Sequence, residues 1–145
     1  MTVTEFLKDH VPFLKGLTDE EAAALARSAE QKPVEKGQTV IFQGTTVDGL
    51  HIVAAGKVCV LVRAEKGKPP TQVAELGPGE VFGETSLVEF TVAGATIKGA
   101  EEGTLVFVLP EPAFRRVLES DPALRERTLA LIESRKASRK APQAS

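Results

Sequence analysis

The chain has 145 residues, a net charge of −2 at pH 7, 42% hydrophobic residues and 26% charged ones. That composition suits one soluble globular domain with a single sizeable core. No run of about 18 apolar residues occurs, which excludes a transmembrane helix, and there is no general basic character of the kind that points to nucleic acid.

Further classes fall away on particular residues. Glu5, Lys8, Asp9 and His10 crowd the start, without the basic and apolar regions of a signal peptide. Cys59 stands alone, so no intramolecular disulfide forms and cytoplasmic residence is expected. Seven Phe make up the whole aromatic set, and none lies among basic residues along the chain. Stacking on single-stranded nucleic acid is therefore not expected. His10, His51 and Cys59 have no metal-ligand spacing. No Gly-x-Ser-x-Gly elbow or phosphate-binding P-loop occurs, so no catalytic residue is assigned. Arg135, Lys136, Arg139 and Lys140 form the one basic cluster and read as a solvated, frayed tail.

In chain order, residues 4–9 form a short amphipathic stretch ended by Pro12. Thr18 precedes Glu21 by three residues, a capping box, and residues 22–28 are strong helix formers. Pro33 and Gly37 are expected to end that helix and open a β region. Short apolar runs follow at Val40 to Phe42, Leu50 to Ala54, Val58 to Val62, Val73 to Leu76, Ala95 to Ile97 and Leu105 to Leu109. Gly, Pro or Asp punctuates each gap, with Gly44 and Gly56 suiting turns of unusual φ. About eight closely spaced strands predict a sandwich, barrel or jelly-roll. Cys59, within a β-branched run, is expected in the core, and His51, on a strand, is expected to be a packed or surface histidine rather than a ligand.

After Leu109 the period changes. Pro110 and Pro112 set a helix start, with Phe114, Val117 and Leu118 on one face. Asp121 is a helix N-cap with Pro122 at the first helical position, and Leu124, Thr128, Leu131 and Ile132 recur at helical spacing. An all-β middle with helices at both ends is predicted.

Two stretches resemble the signature of the cyclic nucleotide-binding domain family, in its stand-alone bacterial form related to catabolite activators and protein-kinase-A regulatory subunits. One holds Ile41, Phe42, Gln43 and Gly44, then Asp48 to Val53, then Gly56 to Val58. The other runs from Leu76 through Gly77, Pro78, Gly79, Glu80, Val81, Phe82, Gly83, Glu84, Thr85 and Ser86 to Leu87, followed by Ala95 to Ile97. The likeness covers roughly residues 5–135. It implies an eight-stranded β-roll of jelly-roll type at about 33–109, within a domain at 1–136. C-terminal helices at about 111–136 and a basic, disordered tail at 137–145 complete that organisation.

In the family the second stretch is a phosphate-binding cassette. The resemblance implies that Gly83 lets the backbone approach a ligand and that Glu84 accepts a hydrogen bond from a ribose 2′-hydroxyl. Glu84 capping nearby amides is the structural alternative. Amides of Glu84, Thr85, Ser86 and Leu87 are expected to face the phosphate, with the Leu87 side chain tucked behind. Ala93, Gly94 and Ala95 complete the expected ligand-binding set. One departure stands out. Ligand-binding members carry an arginine nine residues beyond the glutamate, and here that position is Ala93. Losing a charge-assisted phosphate contact costs about 1.5–3 kcal/mol. Without a nearby cation, Glu84 and an incoming phosphate are like charges in a sheltered site.

The resemblance implies a non-catalytic regulatory module that senses cyclic AMP, cyclic GMP or a related small phosphorylated ligand, bound weakly. The alternative is a degenerate domain that serves as a protein-interaction scaffold. The family's transcription factors append a helix-turn-helix domain, for which this chain has no room, so its output is expected to pass to a protein partner. A weak homodimer through the Leu124, Leu131 and Ile132 stripe is a further expectation, while nucleic-acid and membrane partners are not expected.

Overall fold

A computed structural model describes the backbone of residues 1–89 and 91–144 and, within these, the side chains up to residue 137. The N-terminal segment forms α1 (Val3–Asp9) and α2 (Asp19–Ser28), joined through a 3-10 turn at Pro12–Leu14. The capping box is in place. Thr18 Oγ1 accepts from the Glu21 amide at 3.1 Å, and Glu21 Oε1 accepts from the Thr18 amide at 2.9 Å.

Eight strands follow among the described residues: β1 (Glu30–Val34), β2 (Thr39–Ile41), β3 (Gly49–Ala55), β4 (Val58–Val62), β5 (Thr71–Leu76), β6 (Val81–Phe82), β7 (Thr96–Gly99) and β8 (Thr104–Pro110). All pairings are antiparallel. They form two four-stranded sheets, in the orders β1-β8-β3-β6 and β2-β7-β4-β5. The short helix α3 (Glu84–Glu89) interrupts the run after β6. Two helices, α4 (Glu111–Ser120) and α5 (Pro122–Ala144), close the chain. The expected β-roll with flanking helices is the observed architecture.

Two details correct the sequence reading. Pro33 does not stop α2, which ends at Ser28, but sits inside β1. β1 is an edge strand, where a residue without an amide hydrogen is tolerated. Cys59 is not core: β4 alternates, with Val58, Val60 and Val62 buried and Cys59 and Leu61 partly exposed.

The core has two compartments. One fills the roll between the sheets with Val53, Val58, Val60, Ile97, Val106 and Val108 among others. The other packs the helices onto the outer face of the first sheet, around Leu14, Leu25, Leu50, Ile52, Leu109, Phe114 and Leu124. β8 serves both, because alternate side chains leave opposite faces. Val106 and Val108 enter the roll, while Phe107 and Leu109 meet the helices. The run from Leu105 to Leu109 is continuously apolar for that reason.

Asp121 Oδ1 accepts from the Leu124 amide at 3.1 Å, as an N-cap does. The stripe on α5 is turned inward. Leu124, Thr128 and Ile132 are buried and Leu131 is partly buried, so packing against the domain, rather than a dimer face, accounts for most of it. Arg127 fastens the same helix to the N-terminal segment by donating to the Phe13 carbonyl at 3.1 Å and the Lys15 carbonyl at 2.6 Å.

Candidate functional site

The site is built at one end of the roll, where β6 turns into α3. Gly83 makes the turn with φ +88°. A Cβ there meets Val47 Cγ1 at 3.1 Å and the Gly49 carbonyl oxygen at 3.2 Å, so both the backbone conformation and the space demand glycine. This turn delivers Glu84 as the first residue of α3, with its side chain 1% exposed. Helix first-turn amides have no partner inside the helix, and Gly83, Glu84, Thr85 and Ser86 line a cavity at that point.

The segment before β7 supplies the facing wall. Ala93, Gly94 and Ala95 line it. The Ala93 backbone is tied to the turn after β2, donating to the Thr45 carbonyl and accepting from the Gly44 amide, each at 2.8 Å. Ile41, Val60, Leu76, Phe82 and Ile97 contribute apolar surface from inside the roll. Seven of the eight residues singled out from the sequence therefore border one cavity. The eighth, Leu87, turns away into the helix-side core, the placement expected of an apolar residue behind the short helix.

Electrostatics at the cavity differ from the sequence reading. Arg135 is not part of a solvated tail. It reaches in from α5, and its Nη1 donates to Glu84 Oε2 at 2.7 Å while Nη2 donates to the Val81 carbonyl. The guanidinium lines the cavity, with 19% of the side chain exposed. Glu84 thus has a neighbouring cation, and the carboxylate and guanidinium offset one another in a sheltered site. Glu84 Oε1 also accepts from the Thr85 hydroxyl at 3.4 Å. One residue further on, Lys136 pairs with Glu89 at 2.7 Å, a second link between α5 and α3. Arg139 and Lys140, the rest of the expected tail cluster, lie outside the residues whose side chains are described.

The sequence did carry a signal for Arg135. Leu124, Thr128 and Ile132 are the buried face of α5, and three residues past Ile132 continues that face. His51 lies behind the cavity wall as a packed residue. It is buried, stacks on Phe82 with ring centroids 4.9 Å apart, and places Nδ1 3.0 Å from the Gly49 carbonyl. Burial lowers its pKa to about 4, so the ring is neutral at pH 7 and donates from Nδ1.

The site is thus a Gly-Glu turn that opens a short helix over a largely apolar cavity at one end of a two-sheet roll. The family model "Cyclic nucleotide-binding domain" matches residues 31–121, and the chain belongs to that family. A Drosophila melanogaster relative, "cAMP-dependent protein kinase type II regulatory subunit", is 31% identical over 79% of this chain and 30% of its own length. "Cyclic AMP receptor protein" of Thermus thermophilus is 32% identical over 69% of this chain and 46% of its own length. The chain thus spans less than half of either relative. A solved structure of the regulatory domain of Toxoplasma gondii PKA with cAMP superposes with a TM-score of 0.77 and 25% identity, covering 94% of this chain and 49% of that one. No helix among the described residues is long and apolar enough to cross a membrane.

Proposed function

We propose that this chain is a non-catalytic regulatory module that senses a small phosphorylated ligand, most simply a cyclic nucleotide, in the cavity between Gly83–Ser86 and Ala93–Ala95. One observation carries the reading. The buried carboxylate of Glu84, with Arg135 beside it, stands at the wall of a largely apolar cavity at the start of a short helix, where a ligand's sugar hydroxyl and anionic group can be received together. The relatives named above, a cAMP-dependent protein kinase regulatory subunit and a cyclic AMP receptor protein, support the ligand class.

The phosphate is the weak point of such a site. Ala93 offers it no charge, and Arg135, the one cation among the described residues that line the cavity, is already paired with Glu84. Binding is therefore weak, in the range of tens of micromolar or worse, because a missing charge-assisted contact of about 1.5–3 kcal/mol lowers affinity about ten- to a hundred-fold or more. A ligand hydroxyl that reaches Glu84 also meets Arg135, so α5 is the element placed to respond. The output passes to a protein partner, with the module in the cytoplasm.

Calorimetric titration with cyclic AMP and cyclic GMP tests this directly. Weak saturable heat from either nucleotide supports the sensing role. No binding by the wild type, and none after an arginine is placed at position 93 in a folded protein, leaves the second reading. In that reading the roll is a scaffold for protein contacts, and the replacement of the phosphate-binding arginine by Ala93 is what favours it.

A further inference from the structure

The second sheet carries a groove on its outer face, away from the ligand cavity. Alternation along β4 and β7 sends Leu61, Thr96 and Lys98 outward. The turn after β2 and the loop after β4 add Phe42, Gln43, Arg63 and Lys66. Among the described residues, three cations line this groove and no carboxylate does. None of the three is in an ion pair among the described residues. Phe42 is 59% exposed beside them.

The arrangement is held in place. The Gln43 side-chain amide clamps the Arg63 backbone, accepting from its amide at 2.9 Å and donating to its carbonyl at 3.0 Å. The Gln43 amide itself donates to Thr96 Oγ1 at 2.9 Å. Both ends of one side chain therefore fix the cation-bearing end of β4 to the turn that carries Phe42. An aromatic that was isolated from basic residues along the chain is surrounded by them in space.

We propose that this groove docks an acidic segment of a partner protein, a peptide in which glutamate or aspartate side chains flank one apolar residue. Three unpaired cations around a single exposed ring match that composition: charge complementarity sets orientation and the ring supplies apolar contact. Nucleic acid fits less well. Stacking along a strand uses successive aromatic rings, and among the described residues one ring, Phe42, lines this groove. Exposed Glu65 adjoins Lys66 in the loop after β4, in a chain of net charge −2, which disfavours a long polyanion.

The test is fluorescence anisotropy of the full chain with a labelled short peptide in which glutamates flank a central phenylalanine. The same peptide with every glutamate changed to glutamine is the control, and a single-stranded oligonucleotide and anionic vesicles are the competing polyanions. Saturable binding of the acidic peptide that weakens with rising ionic strength is expected. Arg63→Glu should weaken it by about ten-fold or more, and Phe42→Ser by several-fold. Both positions are exposed, so an unchanged dichroism spectrum is expected and shows that the fold is kept. Equal binding of the glutamine peptide overturns the proposal. So does unchanged affinity in folded Arg63→Glu, or tighter binding of the oligonucleotide or the vesicles than of the peptide.

Discussion

Arg135 on the last helix holds Glu84, the first residue of α3, through a 2.7 Å ion pair across 51 positions of sequence. The contact joins the wall of the cavity at the end of the roll to the C-terminal helix, and it neutralises a carboxylate that is 1% exposed. Removing one partner of a buried pair leaves the other desolvated and uncompensated.

Arg135→Ala should therefore destabilise the fold by about 2–3 kcal/mol, the lower part of the range for buried pairs because the arginine keeps some solvent contact. Glu84→Gln should cost less, since an amide still accepts from the guanidinium. Combining the two should cost less than the sum of the single changes, with a coupling of about 1 kcal/mol or more. Urea unfolding of the four proteins measures this. Additivity within about 0.3 kcal/mol would mean that the pair carries no energy of its own.

At position 93 the backbone is held at both its amide and its carbonyl, and the side chain faces the cavity. Ala93→Arg should tighten cyclic AMP binding by about ten-fold or more, by restoring a charge-assisted phosphate contact. Adding Glu84→Ala to that variant should reduce the gain, since the sugar contact is lost. Calorimetry is the measurement. Submicromolar binding by the unaltered chain would show that Arg135 or the α3 amides already satisfy the phosphate.

Stability should fall in mild acid because of His51. Burial holds its folded pKa near 4, against an ordinary 6.5, with Lys32 lowering it further and the Gly49 carbonyl and Asp48 opposing the shift. The unfolded chain takes up the proton first as the pH drops. This contribution is therefore fully present above about pH 6.5 and is lost as the pH falls from there to about 4, by up to about 3 kcal/mol. His51→Gln should flatten the slope over that window. Denaturant midpoints at pH 7.5, 5.5 and 4.5 compare the two proteins, and parallel curves would contradict the account.

Gly83→Ala should cost about 1–2 kcal/mol from the positive φ alone. It should also press on Val47 and the Gly49 carbonyl at the cavity edge. Thermal unfolding together with the cyclic AMP titration would separate a turn that merely loses stability from one whose distortion also abolishes binding. Unchanged values in both would mean that the turn relaxes at no cost.

Much of this was legible along the chain. The capping box at Thr18 and Glu21, the N-cap at Asp121 and the Gly-punctuated strands are local signals, set by residues within a few positions of one another. The Gly83–Glu84 turn was implied by the family resemblance, and in the fold it stands at the positive φ of Gly83 and the start of α3 at Glu84. β1 and β6 were not named as strands. β1 reads Glu-Gln-Lys-Pro-Val with one buried residue, and β6 has two residues, so neither shows a pattern of its own. Each is a strand because β8 or β3 supplies the hydrogen bonds.

By itself, then, the sequence determined an all-β middle with helices at both ends, since periodicity and turn chemistry act at short range, while the β-roll and the turn at Gly83 were implied by the family resemblance. It also determined that no arginine stands at position 93. What only the tertiary structure decided is which charges meet. Whether Glu84 stands in the cavity wall alone or with a cation depended on where α5 folds back, and that followed from burying Leu124 and Ile132 against the rest of the domain. Apolar burial chose the helix's position, and Arg135, one turn beyond Ile132 on the same face, was carried to Glu84 by it.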